Sequence, residues 1–288
     1  MNSRSHISWP VLVLFISSVG WGLTWWPIKM LSDRGLTGPM VVFLAFSAAS
    51  IVLFPLLVKQ WSRWKGRYLY LGLIALFGGF ANLAFQTALY HGEVVRVMIL
   101  FYLLPVWSVL GGRLFLHERI DAKRVLTLVM ALSGAVLILG GFAIIDNPPS
   151  WIDLLAIGSG FAFAMNNLVF RATQTMPLGG KVSAMFTGCM LLMGAYLLAV
   201  PQPDNDIALD NTLWAFLYGI GWLAVITFGT QWGVTRIEAG RASIIIVMEL
   251  LVAVFSAMLI LQQPMSVMEW VGGVLVLIAA VLEGARED

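Results

Sequence analysis

Long, unbroken apolar runs dominate this chain. They lie near residues 8–31, 38–58, 68–90, 94–112 and 124–143 in the first half. In the second half they lie near 151–171, 182–200, 212–233, 242–261 and 268–284. A helix of about 20 apolar residues crosses the roughly 30 Å hydrocarbon core of a bilayer. Strands of a membrane barrel would alternate in polarity at every second residue, and these runs do not alternate. The pattern predicts an all-α integral membrane protein with ten transmembrane helices. The polar segments between the runs are too short for an appended soluble domain.

Composition agrees. Of 288 residues, 60% are hydrophobic and only 11% charged, whereas soluble domains carry about 25% charged residues. A water-soluble core cannot hide this much apolar surface, so the solvent is lipid. Orientation follows from Lys and Arg, which favour cytoplasmic loops. With the N-terminus inside, every one of the 17 basic residues except Lys29, Arg34 and Arg96 falls on the inner side. Both termini are therefore expected in the cytoplasm of a cell with this protein in its inner (plasma) membrane. The first apolar run is too long for the h-region of a cleaved signal. A net charge of +2 leaves no nucleic-acid footprint. Cys189, the single cysteine, reads as a small packing residue. His6, His91 and His117 lack ligand spacing, so neither a metal site nor another cofactor is expected.

The chain also reads as a duplication. One register lays GEVVR (92–96) over IEAGR (237–241), placing Glu93 on Glu238, Arg96 on Arg241 and Gln86 on Gln231. A slightly different register for the first helix places Lys29 on Arg171 and Thr24 on Asn166. Each half, 1–145 and 146–288, holds five helices, an odd number, so the second copy must be inverted in the membrane. Inverted repeats mark secondary transporters, with the site near the midplane between the copies. Two complete repeats in one chain are compatible with a functional monomer.

A family resemblance rests on W-G…K in the first helix (Trp21, Gly22, Lys29) and Y-L-L-P in the fourth (Tyr102 to Pro105). It rests also on L-H-E-R-I-D (Leu116 to Asp121) and M-E-L-L-V-A (Met248 to Ala253). In their order and spacing these segments resemble the ten-helix EamA-type branch of the drug/metabolite transporter superfamily. The resemblance implies export of small metabolites by alternating access, amino acids being one well-represented substrate class.

Polar side chains inside a span are costly and usually face the bundle interior or a water-filled cavity. Glu249 lies near mid-depth within IIIVMELLVAVF, a candidate substrate ligand and proton carrier, the alternative being a structural carboxylate paired across helices. Trp21, Trp25 and Lys29 fall at i, i+4 and i+8 on one stripe. Pro27 removes a backbone donor and frees the carbonyl of Leu23, so this helix is expected to kink beside an aromatic wall. Lys29 is either a gating cation for a carboxylate or a snorkelling anchor. Asn82, Tyr102, Asn166 and Asn167 are further candidate substrate ligands, and Gln86 and Gln231 candidate coupling or gating residues. Each amide has interhelical glue as its bland alternative. Glu93 with Arg96, and Glu238 with Arg241, read as i, i+3 pairs at helix starts.

These features favour a secondary transporter exporting amino acids or, alternatively, drugs, sugars or nucleobases. A membrane enzyme would need paired acids, a nucleophile–base set or a metal cluster. A scaffold would carry a soluble domain. No Walker sequence is present to hydrolyse ATP.

Overall fold

The computed structural model describes residues 8–140, 148–201, 204–262 and 264–286. Its elements are helical: α1 (Trp9–Gly22), α2 (Trp25–Ser32), α3 (Gly38–Gln60), α4 (Tyr68–His91), α5 (Val94–Phe101), α6 (Leu104–Phe115) and α7 (Ala122–Ile138). Then come α8 (Trp151–Ala172), α9 (Leu178–Ala199), α10 (Leu209–Leu217), a π-helical turn (Tyr218–Leu223), α11 (Ala224–Val234), α12 (Ala239–Ile246), α13 (Met248–Leu261) and α14 (Val267–Gly284). Among the described residues, nine helical stretches are long and apolar enough to cross a membrane. The fifth predicted span corresponds to α7, of 17 residues. Its expected last turn at 141–143 lies outside the described residues, as do Arg4 and Gln263.

The first, fourth, eighth and ninth spans are interrupted, where sequence reasoning expected a kink only in the first. The first breaks at Leu23–Thr24, four residues before Pro27. The Leu23 carbonyl, freed by that proline, accepts instead from the Trp26 N–H at 3.2 Å. The fourth breaks at Tyr102–Leu103, just ahead of Pro105, for the same reason. The ninth breaks at Val247 with no proline or glycine beside it. The register that lays Glu93 on Glu238 lays Tyr102 on Val247, so the two breaks occupy matching places.

Short polar devices set the helix ends. Asp121 caps α7 by accepting from the Arg124 N–H at 2.8 Å. Ser266 and Glu269 form a reciprocal capping box at the start of α14. The helices pack as α3 on α9, α4 between α8 and α9, α7 on α14, and α1 on α11. Large apolar side chains such as Ile51, Phe54, Leu114 and Leu198 point outward, the arrangement expected when lipid is the solvent.

Small residues let helices approach closely, the usual means of association where lipid supplies no hydrophobic drive. A Cβ on Gly188 of α9 would strike the carbonyl oxygen of Ala75 in α4, and Gly134 and Gly272 stand in mutual backbone contact between α7 and α14. Gly188→Ala is therefore expected to pry α4 from α9 and destabilise the fold by about 1–3 kcal/mol. Gly72→Ala, where an added Cβ meets nothing, is the control. Thermal unfolding of the two variants in detergent checks this, and equal midpoints would refute the close approach.

The helix ends define two faces. One carries the basic segments around Lys59–Arg67, Arg113–Arg124, Arg171 and Arg236–Arg241; the other gathers the turns after α2, α4, α9 and α13.

Candidate functional site

A cavity of about 520 Å³ lies between the halves, lined by α1, α2, α3, α4, α5, α8, α9, α13 and the π-helical turn. It runs from the less basic face, at Lys29, Leu89 and Val94, to mid-depth at Phe163 and Glu249. Its wall is largely apolar, with Trp21, Trp25, Phe46, Phe85, Phe101 and Phe163 among the lining.

Glu249 enters the cavity because the break at Val247 starts α13 one residue before it. Its Oε1 accepts from the Tyr102 hydroxyl at 3.1 Å, which joins the two matched helix breaks across the cavity. Gly22, in the W-G pair, has the carbonyl oxygen of Glu249 where its Cβ would be. Any larger residue there would push α13, and with it the carboxylate, away from α1. Gly160 of α8 stands likewise against the carbonyl oxygen of Phe101 at the other break.

Trp21 and Trp25 both line the cavity, and each uses its indole N–H to tie the first half to the second. Trp21 Nε1 donates to Thr230 Oγ1 at 3.0 Å, and Trp25 Nε1 to Ser256 Oγ at 2.9 Å. Their polar edges are thereby spent, and their ring faces remain for a ligand. Asn82 lines the wall with its Nδ2 donated to the Gly78 carbonyl at 2.9 Å and to Cys189 Sγ at 3.4 Å. Gln86 lines the cavity one turn nearer the mouth. Lys29 stands at the mouth, half-exposed, with Nζ 3.3 Å from Asp33 Oδ1.

The structure does not bring Asn166, Asn167 and Gln231 into this lining. Gln231 Nε2 donates to Asn167 Oδ1 at 3.2 Å, joining α11 to α8, and Asn166 Nδ2 contacts Met185 Sδ at 3.8 Å. All three are buried between helices. The expected i, i+3 pairs give way to contacts across helices: Arg96 forms a bidentate pair with Asp153, at 2.7 Å for each bond, and Glu238 pairs with Arg124.

At the basic face the two halves are joined by a polar network that sequence reasoning missed. Arg124, at the start of α7, is 1% exposed and contacts Glu238 and also Glu283, itself 1% exposed, with Nε 3.4 Å from Glu283 Oε1. Thr127 donates to the same Glu283 oxygen at 2.5 Å. Glu118 accepts from the Ala239 N–H at 2.9 Å, capping α12 from the other half. Burial pushes the Glu118 carboxyl above its ordinary range, opposed by the Ala239 N–H. The Arg124 N–H, with Arg286 beside it, holds Asp121 below that range. The signal for this network was a cluster of charges at three helix ends, which the inside-positive rule alone explained equally well. Thr230, Ser256, Phe101 and Phe163 gave no signal at all, since such residues in an apolar run read as packing.

Comparison with known proteins now has a geometry to refer to. The EamA-like transporter family matches residues 8–140 and again 150–283. A riboflavin transporter of Vibrio cholerae serotype O1 is 24% identical over 214 residues, 71% of this chain and 67% of that protein. An uncharacterized transporter of Archaeoglobus fulgidus is 25% identical over 286 residues, 94% of this chain and 96% of its own. A riboflavin transporter of Brucella anthropi is 24% identical over 196 residues. One solved crystal structure superposes with a TM-score of 0.74 at 15% identity, covering 96% of this chain and 98% of that one, a likeness of fold. A multi-pass helical protein with a cavity between its halves and two family matches in succession is a transporter rather than an enzyme, and this chain belongs to the EamA-like transporter family of the drug/metabolite transporter superfamily.

Proposed function

We propose that the chain is a ten-helix secondary carrier built from two inverted five-helix repeats, 1–145 and 146–288, that exports amino acids by alternating access. Both termini lie in the cytoplasm and the protein sits in the inner membrane. The observation that carries this reading is the cavity, which reaches mid-depth from one face while a polar network joins the two halves at the other. Such an arrangement is one end state of a two-state carrier, open outward if the basic face is cytoplasmic. The pairing of helices supports the repeats: exchanging the two halves turns α4 on α8 into α11 on α1, and α6 on α8 into α13 on α1, and all of these pairs occur.

In this reading Trp21, Trp25, Asn82, Tyr102 and Glu249 contact substrate, and Lys29 and Gln86 guard the mouth. Asn166, Asn167 and Gln231 hold the helices that carry them. Glu249 also carries the coupling proton.

A second reading is favoured by the relatives named riboflavin transporters and by the size and aromatic walls of the cavity. In it, the cargo is a flat heteroaromatic ring system of flavin size. Counterflow into proteoliposomes decides between them, with labelled aromatic and aliphatic amino acids, riboflavin, sugars and nucleobases as the panel. Uptake of amino acids, competed by their relatives and lost in Tyr102→Ala, supports the first reading. Uptake of riboflavin alone replaces it with the second, and uptake of no panel member by folded protein removes both.

A further inference from the structure

The polar groups of the cavity divide into those already satisfied and those left for a ligand. The indoles of Trp21 and Trp25 have donated their N–H groups, Asn82 has donated its amide, and Thr24 Oγ1 donates to the Trp21 carbonyl at 2.6 Å. Glu249 has one described side-chain partner, the neutral Tyr102 hydroxyl on Oε1. Among the described residues the cavity lining contains two charged side chains, Glu249 and Lys29. Lys29 stands at the mouth, already paired with Asp33, and no described ion pair reaches Glu249.

A carboxylate with no described cation beside it, in a cavity that aromatic side chains also line, has a definite preference. Aromatic faces carry negative charge density and attract cations, and the carboxylate adds to that field, which apolar walls screen less than bulk water does. An anionic ligand would meet repulsion from both. An ammonium group would gain the ion pair and the ring faces together. Among the described residues, the lining donors without a described partner are the Gln86 amide, nearer the mouth, and the Tyr218 hydroxyl. Lys29 is engaged with Asp33 at the mouth, so deep in the cavity a zwitterion would find its carboxylate served by neutral groups.

We infer that the cavity is selective for charge: it takes aromatic solutes bearing an amine, the ammonium group on Glu249 and the ring against Trp21, Trp25 and Phe101, and it rejects the corresponding anions. This rests on the reading of the cavity as the substrate site, and it goes further by fixing the charge of the substrate.

Three indoles that differ in charge test it: tryptamine, tryptophan and indole-3-propionate. Their binding to the full chain in lipid nanodiscs is measured by calorimetry at neutral pH, separately from transport. Tryptamine is expected to bind about tenfold or more tighter than indole-3-propionate, with tryptophan between. Glu249→Gln is expected to bring tryptamine to within about threefold of indole-3-propionate, because the ion pair is gone while the aromatic wall remains. Equal binding of all three, preference for the anion, no binding of any, or an amine preference that survives Glu249→Gln would each overturn the inference. Binding in the expected order without counterflow of any solute would instead remove the transport reading and leave the charge selectivity standing.

Discussion

Glu249→Gln is expected to abolish uptake driven by a proton gradient while leaving exchange of substrate for substrate largely intact at saturating concentration. The carboxylate is the one acidic group in the described lining of the cavity, and its Oε1 is held by a hydroxyl that can follow either protonation state. Intramembrane acids placed in this way mark proton relays. Glutamine keeps the volume and one hydrogen bond but cannot take up or release a proton. A coupled carrier therefore loses the driven step and keeps the conformational cycle, provided substrate saturates the weakened site. The measurement is a pair of assays in proteoliposomes, one with an imposed pH gradient and one at equilibrium with labelled substrate inside and out. Equal loss in both would leave Glu249 a binding or structural residue and remove it from coupling.

Removing Arg124 is expected to have the largest effect on stability. Its guanidinium is 1% exposed and faces Glu238 and the equally buried Glu283. Arg124→Met leaves Glu283 with Thr127 and the more distant Arg286, at 3.8 Å, so that its buried charge is only partly compensated. Breaking one partner of a buried pair costs about 3–5 kcal/mol. The double variant Arg124→Met with Glu283→Met should recover much of that loss, since apolar residues of similar volume replace a buried pair at little cost. Chemical unfolding in detergent checks both. A single variant as stable as the parent would mean that the network does not hold the halves together at the basic face.

How much of this could be read from the sequence depends on the range of the interaction. The Trp21–Trp25 stripe and the lone acid at 249 were legible because helical periodicity and intramembrane cost are local properties of a run. The Lys29–Asp33 pair is equally local, at i, i+4 spacing. The amides were not separable in this way. Asn82 and Asn167 are the same residue type, both within apolar spans, but α4 turns Asn82 to the cavity while α8 turns Asn167 to Gln231. Nothing within a few residues of either position distinguishes these outcomes.

The helix breaks divide along the same line. Pro27 announces its break, and the break ahead of Pro105, which was not expected, has the same local cause, because a missing N–H acts on its own helix. The break at Val247 has no local cause, and the repeat register alone relates it to Tyr102. Long apolar runs, few charges and a one-sided excess of Lys and Arg determined the membrane setting and the helical class, since the bilayer acts on each segment separately. Tertiary packing alone decided which polar groups meet. Tyr102 reaches Glu249 across 147 positions of chain, and Arg124 reaches Glu283 across the two halves, because hydrogen bonds and ion pairs act over a few ångströms of space.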